Sequence, residues 1–161
     1  MSVQIVTASP SDWATYRGLR LRSLRESPDA YGSTYSDEAG FSAEVWQQRL
    51  AGATTFLAVL DDEGRTLIGT VTGLTTEGDD LPVVAMYVVP DRRGSGCANL
   101  LLDAVADLGR RQEARRLVLC VTDLDGRAAR CYRRYGFVPT GNRHPMDRDP
   151  DLVEIELAYP V

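Results

Sequence analysis

The chain has 161 residues, enough for one domain (1–161) with a substantial core and too few for a second. Hydrophobic residues make up 43% and charged residues 25%, ordinary for a soluble globular protein, and no apolar run approaches the ~20 residues of a membrane helix. A net charge of −5 argues against a nucleic-acid binder and favours cationic partners such as amines or basic peptides.

Residues 1–4 lack the basic-then-apolar layout of a signal peptide. The three cysteines have no short paired spacing, so neither a disulfide scaffold nor a zinc site is expected, and a reducing, cytoplasmic compartment fits them. Residues 3–7 alternate as a short strand, after which Ser9, Pro10 and Asp12 supply a cap, a first helical residue and an early acid. The following helix turns Trp13, Tyr16, Leu19, Leu21 and Leu24 inward, leaves Arg17, Arg20, Arg22 and Arg25 in water, and ends before Pro28. Residues 27–38 are polar and aromatic without a period, and a second helix starts near Ser42 with Val45, Trp46 and Leu50.

Residues 56–60 and 67–72 flank an Asp-Asp-Glu-Gly turn and read as a hairpin. An acidic loop at 77–80 precedes a strand over 83–89. A helix over 96–112 then buries Leu100, Leu101, Ala104, Val105 and Leu108, with arginines gathered at its negative end, and strand 117–121 completes a β-α-β crossover with Cys120 in the core. Strands at 137–139 and 153–157 close the sheet across a loop that carries His144 and Pro145, and no repeat or linker interrupts the chain.

The densest signal lies where strand 83–89 meets its helix. Two glycines, Gly94 and Gly96, lie in a turn directly before a helix, so backbone N–H groups and the positive helix end converge on one point suited to a phosphate. A P-loop is excluded because the chain contains no lysine, and a dinucleotide fingerprint fails at Asn99, where a third small residue is needed. Cys97 sits in this turn, near a helix N-terminus, where a thiol pKa tends to fall.

The run Arg93-Gly94-Ser95-Gly96-Cys97-Ala98 resembles the acyl-CoA pyrophosphate loop of the GNAT N-acetyltransferases. A second segment follows in the expected order: strand 117–121, then Asp125, Ala128, Tyr132 and Gly136-Phe137, which is similar to the family's second cofactor motif. The resemblance implies an α/β fold: a mixed, mostly antiparallel sheet of six to seven strands, helices on both faces and a splayed central parallel pair. It implies acetyl-CoA as acyl donor with no metal, and transfer to a primary amine by direct attack. The resemblance leaves the acceptor open; the acidic balance favours a small-molecule amine, and a protein or peptide acceptor, or a regulatory acyl-CoA-binding domain without turnover, are the alternatives. A homodimer is common among proteins of this resemblance.

By the same resemblance, N–H groups over Gly94, Ser95, Gly96, Cys97 and Ala98 receive the pyrophosphate while Arg93 adds charge. An N–H of Met86, Tyr87 or Val88, freed by a bulge, polarises the thioester carbonyl. Tyr132 is the general acid and Ala128 lies beside it on the same short helix. Asp125 stands where the family often has Asn: it caps the helix equally well but only accepts hydrogen bonds. Residues between the first two helices form a flap over the acceptor, which nominates Tyr31, Tyr35 and Glu38. Because strand 83–89 carries no Asp, Glu or His, the base is sought in Glu38, Asp123 or His144, the last also a candidate for holding substrate.

Overall fold

A computed structural model describes residues 2–161; Met1, at the head of the segment tested for a signal peptide, lies outside them. The described residues form seven strands, five α-helices and three short 3-10 turns. One sheet runs in the order β1-β2-β3-β4-β5-β7-β6, from β1 (Val3–Thr7), β2 (Thr54–Leu60), β3 (Leu67–Gly73), β4 (Asp80–Val88), β5 (Arg116–Val121), β6 (Val138–Met146) and β7 (Asp149–Pro160). Every neighbouring pair is antiparallel except β4 and β5, which α4 (Cys97–Arg111) joins as a crossover.

Local chemistry starts the helices where the sequence indicates. The Ser9 N–H donates to the Asp12 carboxylate at 2.8 Å, and the Pro10–Asp12 turn feeds α1 (Trp13–Glu26). Ser42 accepts from the Val45 N–H at 3.4 Å and opens α3 (Ala43–Gly52). Between them lies α2 (Tyr35–Ala39), capped by the Thr34 hydroxyl; five residues are too few to show a helical period in the sequence.

α4 and α5 (Arg127–Tyr135) share one face of the sheet, joining Leu101, Val105, Tyr132 and Phe137 to Leu119, Val121, Ile155 and Leu157. α1 and α3 cover the other face over β2, through Tyr16, Leu24, Trp46 and Leu50 against Leu57 and Val59. Four expectations change. In α4, Leu102 and Ala106 are buried while Leu100 is 41% exposed, because the inward stripe runs through Cys97, Leu101 and Val105. Arg20 is buried, not solvated. Cys120 is exposed, since in β5 the alternate residues Leu119 and Val121 take the core side. His144 and Pro145 belong to β6, opposite Glu154 and Val153, because the tight turn at 147–148 extends the hairpin through them.

No helix among the described residues is long and apolar enough to cross a membrane.

Candidate active site

β4 and β5 pair only at Asp80 with Arg116, Leu81 with Leu117 and Pro82 with Val118, and then part. Opposite β3, the register passes from Thr72–Val84 to Thr70–Tyr87, so β4 carries one extra residue. Ala85 absorbs it with φ 56°, a left-handed conformation unusual for a residue with a Cβ. Tyr87 pairs with Thr70, and the Val89 N–H reaches the Ile68 carbonyl at 2.9 Å. By alternation the backbone of Met86 and Val88 turns to the parted side, whereas that of Tyr87 turns to β3. The Met86 carbonyl accepts from the Tyr31 hydroxyl and the Val88 carbonyl from Arg93 Nε, both at 2.9 Å. The N–H groups of Met86 and Val88 therefore lie on an edge whose carbonyls are occupied and whose partner strand has moved away.

This gap opens into a cavity of about 1010 Å³ bordered by Met86, Val88, Gly94, Ala98, Ala128 and Tyr132. Tyr132 is 8% exposed and packs edge-on against Phe137, with ring centroids 5.7 Å apart. Burial, followed by Tyr31 and Cys131, pushes its phenol well above the ordinary value, so it keeps its proton at any physiological pH.

The glycine turn has the freedom an anion site needs. Gly94 and Gly96 adopt φ 77° and 90°, nothing lies within 4 Å of a Cβ built on either, and the first turn of α4 carries no acid. A pyrophosphate fits this open helix N-terminus. Arg93, Gly94 and Ala98 border the cavity; Ser95, Gly96 and Cys97 do not. Arg93 binds Glu26 as well as the Val88 carbonyl, so much of its charge is spent within the protein. Ser95 donates to the Arg92 carbonyl. Cys97 is 1% exposed, and burial pushes its thiol up to about 11, overriding the helix effect expected to lower it. Two cations absent from the sequence reading, Arg127 and Arg134, border the same cavity.

Asp125 does not cap α5; Gly126 holds that position. The Asp123 carboxylate closes the preceding turn by accepting the Asp125 N–H at 2.9 Å, and the Asp125 carbonyl accepts from Arg130. The Asp125 side chain is exposed and does not reach the cavity.

At the acceptor end, Glu38 is fully buried and held by Arg20 Nε and Nη2, each at 3.0 Å, and by Arg49 Nη1 at 2.8 Å. Burial alone would raise its carboxyl, but hydrogen bonds and charge from Arg20, then Arg49, hold it below the ordinary range. A carboxylate so stabilised is a poor base, which corrects its assignment as one and explains why Arg20 is buried. Tyr35 binds Arg25 at 2.7 Å away from the cavity. Tyr31 borders it, with its ring 4.8 Å from the Arg20 guanidinium and its carbonyl held by Arg148 at 2.8 and 3.1 Å. His144 stands outside, its Nε2 3.2 Å from Glu154, and Glu154 borders the cavity. Glu154 was legible: in 153–157 the acids alternate with core residues, which sets Glu154 and Glu156 on the opposite face.

The description "Acetyltransferase (GNAT) family" matches residues 20–137. No curated protein sequence matches the chain. Among solved structures, a GNAT-family acetyltransferase from Streptococcus pneumoniae superposes with TM-score 0.82 at 19% identity, covering 99% of each chain. The ribosomal-protein-S5-alanine acetyltransferase of Vibrio fischeri gives 0.78 at 18%, over 99% of this chain and 93% of that one. The PaiA N-acetyltransferase of Thermoplasma acidophilum, solved with coenzyme A, gives 0.76 at 18%, over 99% and 100%. These similarities concern the fold, whereas the family match runs through both the glycine turn and the Tyr132 helix: the chain belongs to the GNAT acetyltransferase family.

Proposed function

We infer that the protein transfers the acetyl group of acetyl-CoA to the primary amine of a small molecule by direct attack. The observation that carries this reading is the parted β4 edge, with the Met86 and Val88 amides and Tyr132 on one cavity. Acetyl-CoA, when bound, supplies the thioester carbon that the amine attacks. The α4 N-terminus with Gly94 and Gly96 receives the pyrophosphate, and Arg127 and Arg134 add cations beside it. A main-chain N–H of Met86 or Val88 polarises the carbonyl where negative charge develops. Tyr132 holds the proton for the departing sulfur.

Three carboxylates border the cavity: Glu38, Asp123 and Glu154. Glu38 is held by two guanidiniums and Asp123 by its own turn, while Glu154 lies beside His144 and Cys120 with no guanidinium on it among the described residues. Glu154 therefore takes the amine's proton. A small acceptor is favoured because Arg148, in the β6–β7 turn, grips the Tyr31 carbonyl while the Tyr31 hydroxyl grips β4, which straps the α1–α2 loop across the acceptor end.

Release of CoA thiol from acetyl-CoA across amines, polyamines, aminoglycosides, amino acids and basic peptides tests this. Acceptor-dependent release is expected with a small amine, falling on the order of 10²-fold in kcat for Tyr132→Phe while affinity for CoA is kept. Release with peptides alone would make the acceptor a polypeptide. Tight acetyl-CoA binding without release from any acceptor would favour a ligand-sensing domain.

A further inference from the structure

We propose that Cys120, His144 and Glu154 form a site for a zinc-class divalent ion, and that occupancy silences the acceptor side of the cavity. The donor atoms of the three residues all lie within 4.8 Å of one another. They come from three adjacent strands on one face. His144 of β6 is directly opposite Glu154 of β7, and Cys120 of β5 is opposite Glu156, two residues along the same strand. Paired strands fix these positions, so only rotamer changes are needed to bring three donors onto one ion. Glu156 is engaged by Thr140 and Asn142 at 2.9 and 3.1 Å, which leaves Glu154 as the carboxylate facing Cys120 and His144.

The donor set selects the ion. One thiol, one imidazole and one carboxylate suit zinc in tetrahedral coordination, whereas magnesium and calcium prefer oxygen alone. Cys120 binds as thiolate, so one proton leaves to solvent as the ion enters. Three protein ligands leave a fourth position, and because Cys120 and Glu154 border the cavity while His144 does not, that position is open to the cavity side. An ion there uses the Glu154 oxygen that accepts the amine's proton in the proposed reaction. This second half rests on that reaction; the first half does not.

The two halves are measured separately. The full chain, without acetyl-CoA, is titrated with Zn²⁺ against a chromophoric chelator. One equivalent per chain is expected, weakened at least ~10-fold by Cys120→Ser and by His144→Ala, and Co²⁺ should give a thiolate charge-transfer band that Cys120→Ser lacks. No binding by the wild type, wild-type affinity in a variant combining Cys120→Ser and His144→Ala, or a cobalt spectrum without that band overturns the site. In thiol-release assays, Zn²⁺ should inhibit the wild type and be at least ~10-fold less potent against Cys120→Ser, whose activity in chelator should match the wild type. Zinc that binds without inhibiting overturns the proposed control while leaving the site.

Discussion

Glu38 and Glu154 are carboxylates on one cavity with different neighbours: two guanidiniums hold Glu38, whereas His144 and Cys120 lie beside Glu154, the base in the proposed reaction. Removing the Glu38 carboxylate leaves Arg20 buried and unpaired, so Glu38→Ala should lose about 3–5 kcal/mol of stability in chemical denaturation. Glu154→Gln should melt like the wild type and lose turnover. The depressed Glu38 carboxyl also gives the fold a pH signature. Its contribution is complete above the ordinary carboxyl value of 4.5 and is lost as pH falls through the lower folded value. Acidification from about pH 5 to about pH 3 should therefore cost the wild type more stability than Glu38→Gln. None of this was visible in the helix pattern, because Arg20 and Glu38 are joined across 18 positions on different elements. A charged side chain on a helix reads as solvated until its distant partner is known. Cys97 shows the same competition: a helix N-terminus tends to lower a thiol's pKa, and the packed core of α4 decides otherwise.

α4 depends on close approach to β3. A Cβ on Gly69 would lie 3.0 Å from the Tyr87 carbonyl oxygen and 3.1 Å from Leu101 Cδ1, so backbone and helix both resist it. Gly69→Ala should cost about 1–3 kcal/mol in a denaturant titration, with the midpoint lowered and the slope kept. Elements with a long apolar period or a cap, such as α1, α3, α4 and β5, were legible in the chain. α2 was not, because one helical turn and a half has no period to read. β6 was cut short because Pro139 and Pro145 bound a stretch of polar residues that only pairing with β7 makes extended. In the cofactor half, Gly94, Ala98 and Tyr132 were read from the sequence and border the cavity, whereas Arg127 and Arg134, brought there by the fold, were not read. In the acceptor half, Tyr31 was nominated and the face of Glu154 could be read from the alternation of 153–157, but their meeting with Arg148 is made by tertiary contacts that no local pattern shows.

Across the whole molecule, all 18 cations are arginine, so the chain offers no lysine amine for an acetyl donor to modify. The sheet is two blocks, β1 to β4 and β5 to β6, sharing a ladder three pairs long. The Asp80 carboxylate and Arg116 guanidinium, paired at 2.9 and 3.2 Å, brace its end. So short a ladder should make the centre of the fold its least cooperative line, although a sheet's edges are the usual place for fraying. Native-state amide exchange should resolve two protected units that meet at Pro82 and Val118. A donor molecule lying in the cleft would join them, so that its arrival should slow exchange on both sides at once; a single unit in the free protein would show instead that α4 alone couples the halves. The cleft that leaves main-chain amides without a strand partner is thus also where the free protein should open first.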